Sequence, residues 1–229
     1  MKYLKIITVL LFVLNSWFCK SPKSKDAVTT APTEIEQEAI TLSADKKTIK
    51  QGENTILAID DNDIFNWFKT ESGLCNKSNN DSENRNSFCY DSTVFLAKTS
   101  FVNIHPTKNK KYIAIEISSK EMLPDMVLGI YNRETKKINW LTNYYLGNKF
   151  ISFSPNEDKF VYSNRCWEAL CGLTIKDIGN YTTIKEINNP QYVDARSSNA
   201  IFNKWIDNNT INYTLKSHTI GSKEFTESI

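Results

Sequence analysis

Hydrophobic and polar positions alternate over short stretches of the chain after residue 48. These stretches are rich in Val, Ile, Thr and aromatic residues and are separated by clusters of Asn, Asp, Ser and Lys, as is typical of strands joined by turns. No stretch beyond residue 48 has a sustained helical period. The pattern predicts an all-β domain over residues 48–229. Its predicted strands are 54–60, 92–100, 111–117, 126–132, 136–141 and 182–187.

Three segments share one pattern, in which an apolar strand, a kink residue and a polar turn precede a second alternating strand. They start near residues 101, 150 and 201. The first two continue with another strand, a polar turn and a further strand, so one unit has about 50 residues and four short strands. This period and strand content are those of a propeller blade.

The stretch SFSPNEDKFVY, residues 152–162, is the clearest copy of the repeat. It resembles the WD40-like β-propeller repeat of TolB-type proteins, in which Ser-Pro follows an apolar strand and an apolar-x-Tyr strand follows the turn. The resemblance implies antiparallel four-stranded blades and no particular activity. The matching positions are Phe153, Ser154, Pro155, Lys159, Phe160 and Tyr162.

The number of blades decides how the repeats close. Closure needs about four blades, and residues 48–99 supply at most one irregular unit before the three repeats. We therefore predict a small or incomplete propeller. A β-sandwich of two antiparallel sheets is the alternative.

The N-terminus has the layout of an export signal. Lys2 and Lys5 precede an apolar run from Ile6 to Phe18, which is short for a transmembrane helix. Cys19 follows directly, and its placement resembles the signal of bacterial lipoproteins. The resemblance implies a signal peptide over 1–18, a Cys19 that carries acyl chains such as palmitate, and anchoring to a membrane of the bacterial cell envelope, on its periplasmic or surface side. An uncleaved anchor and ordinary secretion are the alternatives.

The segment after this cysteine is polar, with Ser, Thr, Ala, Pro and charged residues and no sustained apolar face. We predict a flexible tether over 19–47, which would hold the folded body off the membrane surface. The predicted organisation is thus signal peptide, lipidated tether and all-β domain.

Four cysteines lie beyond the tether. An even number in an exported chain predicts disulfide bonds. The sequence alone leaves three pairings open, and proximity along the chain favours pairing the first with the second and the third with the fourth. The cysteines are Cys75, Cys89, Cys166 and Cys171.

Composition and motifs disfavour several other functions. The formal net charge is +2, and loss of two lysines with the signal peptide brings it close to zero, so we expect no nucleic-acid partner. The chain has no C-x2-C pair and only two histidines, His105 and His218, far apart, which disfavours a metal site. No G-x-S-x-G or H-E-x-x-H motif occurs. We expect no cofactor, no metal and no enzyme activity.

Two polar segments are candidate sites. Asp60, Asp61 and Asp63 are clustered carboxylates of the kind that bind calcium, although an Asx-rich turn is the favoured interpretation. The Asn- and Ser-rich segment 75–89 is either a displayed recognition loop or a solvated loop closed by its cysteines.

Aromatic residues supply further candidates. Trp167, between two cysteines in CWEALC, is the candidate partner contact; the alternative is that it caps the sheet edge. The aromatics of residues 64–68, with Trp140, Tyr144 and Tyr145, are assigned to the core and its edges, with an exposed ligand patch as the alternative.

Together these features predict an exported, membrane-anchored lipoprotein that acts as a binding or scaffolding module and contacts an envelope protein. An envelope hydrolase with a site assembled from distant loops is the first alternative. A purely structural or antigen-like surface protein is the second.

Overall fold

Strands dominate the part of the chain that the computed structural model describes, which is residues 38–71, 91–119, 126–141, 148–167, 170–187, 198–217 and 221–229. They form four antiparallel sheets that follow one another along the chain, with two short helices between the first and second sheets. The prediction of an all-β fold is therefore confirmed.

The second and third sheets are four-stranded meanders in which each strand pairs with the next one along the chain. Their first strands start within two residues of the predicted repeat starts. The blade-like repeats predicted from the sequence are confirmed. Sheet 2 consists of β4 (Thr99–Pro106), β5 (Tyr112–Ser119), β6 (Val127–Asn132) and β7 (Lys137–Trp140), and sheet 3 of β8 (Lys149–Phe153), β9 (Lys159–Trp167), β10 (Leu170–Asp177) and β11 (Thr183–Ile187).

In the described residues the first and fourth sheets have three strands each. β1 lies inside residues 19–47, which the sequence assigns to the tether, and pairs with β2 from Ile40 to Leu42. Ordered strands thus begin before residue 48. Sheet 1 consists of β1 (Ile40–Leu42), β2 (Thr48–Gln51) and β3 (Asn54–Ala58), and sheet 4 of β12 (Ser198–Asp207), β13 (Thr210–Ser217) and β14 (Gly221–Ser228).

Two helices lie between sheet 1 and sheet 2 in the part of the chain that the structure describes, and the sequence predicted neither. Helix α1 spans Asn62–Thr70 and helix α2 spans Ser92–Lys98, so the strand predicted over 92–100 is wrong in its first part. The β-branched residues there suggested a strand, but Asp91 caps the helix by accepting from the backbone N–H of Thr93 at 2.8 Å. A cap of this kind outweighs strand propensity over so short a segment.

Alternating side chains pack the four sheets face to face in chain order. In β5, Ile113 and Ile115 pack toward sheet 1 and the helices, whereas Ala114 packs toward sheet 3. In β9, Phe160 faces sheet 2 and Val161 faces sheet 4. No buried cluster of described residues joins sheet 4 back to sheet 1. Over these residues the array is an open, blade-like stack of four sheets, and the two-sheet sandwich alternative is wrong.

Hydrogen bonds between successive turns join the sheets at one end. Glu157, in the β8–β9 turn, accepts from the backbone N–H of Lys108 in the β4–β5 turn at 2.5 Å. Asp158 accepts from Nδ2 of Asn208 in the β12–β13 turn at 3.0 Å, and Asn208 accepts from the backbone N–H of Asn156 at 3.1 Å. The polar turn of the repeat is therefore a point of attachment between neighbouring sheets.

Charged residues take the left-handed backbone positions in these turns. Lys110 has a φ of 58° and Glu157 a φ of 59°, in the region that favours glycine. The turns therefore form without glycine at these two positions, at a cost of about 1–2 kcal/mol for each residue.

Candidate functional site

A cavity of about 400 Å³ lies beside β7, one of the two edge strands of sheet 2. The end of α1 contributes Trp67 and Glu71, β7 contributes all of Lys137–Trp140, and the β10–β11 turn contributes Gly179 and Tyr181. Residues of the β6–β7 turn complete its lining. We call this the β7-edge cavity; its volume falls within the range of small-ligand sites.

The lining of the cavity shows that it follows the edge of the sheet and not one of its faces. Side chains alternate between faces along a strand, so Ile138 and Trp140 point toward the helices, where they pack against the core. Lys137 and Asn139 therefore point to the opposite face. All four residues line the cavity, as expected for a space that runs along the edge of β7 with which no described strand pairs.

The hydrogen-bond pattern leaves backbone groups of β7 directed at this space. The backbone N–H of Leu141 donates to the carbonyl of Leu128 at 3.0 Å, and alternate pairs of an antiparallel ladder are hydrogen-bonded. Asn139, which pairs with Ile130, therefore uses its N–H and C=O within the sheet. The N–H and C=O groups of Ile138 and Trp140 point away from β6. Within the described residues no hydrogen bond reaches these outward groups.

An aromatic wall borders the cavity on the helix side. The rings of Trp67 and Trp140 stack with centroids 4.3 Å apart and an interplanar angle of 18°. Gly129 makes room for this wall, because a Cβ there would lie 2.8 Å from Cγ2 of Ile138 and 3.1 Å from Cε3 of Trp140. The aromatic wall therefore depends on a glycine in the neighbouring strand.

Helix α1 places Trp67 because of its cap and its apolar face. Asp61 accepts from the backbone N–H of Asp63 at 2.9 Å and caps the helix. Ile64 and Phe68 are fully buried below the helix, and Trp67 lies on the same face at the edge of the core. The Asx-rich turn predicted around Asp61 is thus a helix cap.

Among the described residues, no three His, Cys, Asp or Glu side chains gather as a metal site.

Polar groups line the rest of the cavity. Asn132 holds the hairpin turn by accepting from the backbone N–H groups of Glu134 and Thr135 at 2.9 and 3.2 Å. Burial raises the pKa of the Tyr181 phenol to about 12, and the nearby Tyr112 adds to this effect. Its hydroxyl is therefore a neutral donor at physiological pH.

A second polar centre lies between sheets 2 and 3. Glu116 is fully buried and accepts from the backbone N–H of Phe150 at 2.8 Å and from Nδ2 of Asn103 at 2.5 Å. The ring of His105 lies 4.7 Å from that of Phe150. Burial lowers the pKa of His105, and the charge of Glu116 opposes that shift. This arrangement ties one sheet to the next, so we assign Glu116 a structural role.

The residues predicted from the sequence for lipidation, disulfide bonds and the partner contact fall outside what the structure describes. Cys19, Cys75 and Cys89 lie outside the described residues, as do His218, Tyr144 and Tyr145. The backbones of β9 and β10 carry Cys166, Trp167 and Cys171, whose side chains are likewise outside the description. Lipidation, the disulfide bonds and the partner contact at Trp167 stay predictions. The β9–β10 register pairs Trp167 with Leu170 and shifts before Gly172, so the two cysteines lie in one hairpin.

The β7-edge cavity was not predicted from the sequence. The sequence signal for this cavity was a pair of tryptophans, Trp67 and Trp140, which we assigned from the sequence to the core and its edges. The structure confirms that assignment, since Trp67 is only 8% exposed. It also places both residues in the lining of the cavity. Trp67 reaches the cavity because it lies on α1, a helix that strand patterns do not predict.

Comparisons with known proteins give no family for this chain. No protein family profile matches it, and no curated protein matches it. One similar solved structure comes from a study of two prolyl endopeptidases and the role of inter-domain dynamics in their catalysis and specificity. It is 11% identical with a TM-score of 0.43, over 80% of this chain and 25% of that one. A likeness at this level carries no argument about activity.

Neither described helix is long and apolar enough to cross a membrane.

Proposed function

We propose that this protein is an exported, lipid-anchored binding or scaffolding module of the bacterial cell envelope and that it holds its partner in the β7-edge cavity. The observation that carries the proposal is the combination of an aromatic wall, polar side chains and outward backbone groups around one space of about 400 Å³. Aromatic surface with a few polar groups is typical of binding sites. The anchor would keep that site at the membrane surface.

The chemistry of the cavity supports binding over catalysis. Among the described residues its lining includes no Ser, Cys or His, and the charged residues there, Glu71 and Lys137, are exposed. A hydrolase needs a nucleophile with a base, or an activated water, and these side chains supply neither. A WD40-like blade array provides a rigid frame for such a site in proteins of many functions.

Intact mass tests the export part of the proposal. The protein is made in its native host and measured without reducing agent. We expect a mass that fits cleavage before Cys19, added acyl chains and the loss of four hydrogens for two disulfides. An unmodified N-terminus with free thiols would contradict both the anchor and the oxidising compartment.

Photo-crosslinking in the native host tests the binding part. Benzoylphenylalanine replaces Lys137, which lines the cavity, or Lys204, an exposed residue of sheet 4. We expect one discrete adduct from position 137 and none from position 204. No adduct at position 137, or equal adducts at both positions, would contradict binding at the cavity.

A further inference from the structure

We infer that the ligand of the β7-edge cavity is an extended polypeptide segment that adds to sheet 2 as an outer strand beside β7. The inference rests on the proposed binding function and specifies the chemistry of the partner. It also names the bonds that recognise the partner, which are main-chain hydrogen bonds to Ile138 and Trp140.

The spacing of the outward groups fits a polypeptide backbone. Ile138 and Trp140 each present an N–H and a C=O to the cavity, and positions two apart in a strand are about 6.8 Å apart. An antiparallel strand offers matching pairs of donors and acceptors at the same repeat. A fatty chain has no such groups. Addition of a strand to a free sheet edge is a general mode of peptide recognition.

The two sides of the cavity predict which side chains the segment carries. Side chains on the helix side meet Trp67, Trp140 and Ile138 and should be apolar. Those on the other side meet Asn139 and Tyr181 and should be polar. β7 has four residues, so the paired segment spans about 13 Å and alternates apolar and polar residues.

β14, the edge strand at the end of sheet 4, carries more charged residues than β7. This difference supports β7 as the strand that pairs with a ligand. β14 carries Lys223, Glu224 and Glu227 along its edge, and Glu227 is joined to Lys185 of β11 at 2.6 Å. Charged side chains on an edge strand oppose pairing with another strand. β7 carries one charged residue, Lys137, and a cavity lies beside its edge.

Backbone-methylated peptides test the inference on the wild-type protein. The probes are heptapeptides that alternate threonine with leucine, phenylalanine, valine or tyrosine, acetylated and amidated at their ends. Tryptophan fluorescence reports binding at the aromatic wall. Two methylated versions of the best binder are then made with unchanged side chains. One carries N-methyl groups on the backbone of its apolar residues, and the other carries them on the backbone of its threonines.

Strand addition predicts that only one methylated peptide loses affinity. In an antiparallel pair the apolar residues lie opposite Ile138 and Trp140, so their N–H groups face β7. We expect methylation of the apolar residues to weaken binding at least about tenfold, which is roughly the effect of losing a hydrogen bond or two. Methylation of the threonines should change affinity less than about twofold.

Three outcomes would overturn the inference. Equal affinity of both methylated peptides would show binding without edge pairing. No binding by any peptide below about 1 mM would exclude a polypeptide of this pattern. Amides of Ile138 and Trp140 that are already protected from exchange in the free protein would show that this chain or a second copy fills the edge. In each case a crosslink from position 137 would leave the proposed binding function standing.

A pair of variants at one position gives an independent check. Ile138→Pro removes an outward N–H but no hydrogen bond to β6, since proline is tolerated at such edge positions. Ile138→Val keeps that N–H and most of the packing. We expect Ile138→Pro to weaken peptide binding at least about tenfold while Ile138→Val binds as wild type. Equal affinities in two folded variants would refute edge pairing.

Discussion

Replacement of Glu116 by alanine should uncouple sheets 2 and 3. The Glu116 side chain is fully buried and accepts from the Phe150 backbone N–H and the Asn103 amide. Truncation leaves both donors without this partner, and each unsatisfied buried donor costs about 1–3 kcal/mol. Asn103 is only partly buried, so we expect a total loss on the order of 3 kcal/mol in the free energy of unfolding.

Urea unfolding followed by tryptophan fluorescence and circular dichroism measures this loss. Glu116→Gln retains an acceptor for the Phe150 N–H and should lose only about 1 kcal/mol. Glu134→Ala is the matched control, because the Glu134 side chain is 64% exposed and pairs with Lys111 at the surface. Exposed pairs of this kind contribute less than about 1 kcal/mol.

The thermal transition gives a second reading. A loss of about 3 kcal/mol lowers the Tm of a fold of this size by roughly 6–12 °C. If Glu116→Ala unfolds within about 0.5 kcal/mol of Glu134→Ala, the carboxyl group does not tie the sheets and the reasoning is refuted.

Three further predictions follow from other parts of the fold. Gly129→Ala should destabilise the protein by about 1–3 kcal/mol in urea unfolding, because its Cβ would displace Trp140 and Ile138; wild-type stability would contradict the packing described. Ultraviolet titration should find a tyrosine step near pH 12, and Tyr181→Phe should reduce that step by one phenol; an unchanged curve in this variant would reassign it. Burial acts to raise the pKa of Asp158, but hydrogen bonds and the charge of Lys159 outweigh it, so the pKa lies below 3.8. A depressed carboxyl pKa stabilises the fold above the unfolded value and the effect is lost as pH falls through the folded value. Asp158→Ala should therefore destabilise more at neutral pH than in acid; a constant difference would exclude ionisation as the cause.

Strand alternation and the repeat were predictable because they depend on local pattern. Phe160 and Tyr162, two residues apart after a polar turn, were expected to share one face, and both lie in the core between sheets 2 and 3. The repeat starts also matched the sheets. These features depend on the period of two residues along a strand, which a single sequence shows directly.

The helices and the cavity were not predictable in the same way. α1 has apolar residues at Ile64, Trp67 and Phe68, but it is nine residues long and has too few turns for a helical period to emerge. The cavity arises where Trp67 of that helix meets Trp140, which lies 73 positions further along the chain. A contact at such separation depends on how the sheets stack, which no local pattern encodes.

Amide hydrogen exchange of β7 in the free protein tests the central claim most directly. Three consecutive residues are compared, and Asn139 serves as the internal control because its N–H lies within the sheet. The account predicts that the amides of Ile138 and Trp140 exchange at least about a hundredfold faster than that of Asn139, since the edge is open. Equal protection of all three amides, at every protein concentration, would show that the edge is already occupied and would contradict strand addition at β7.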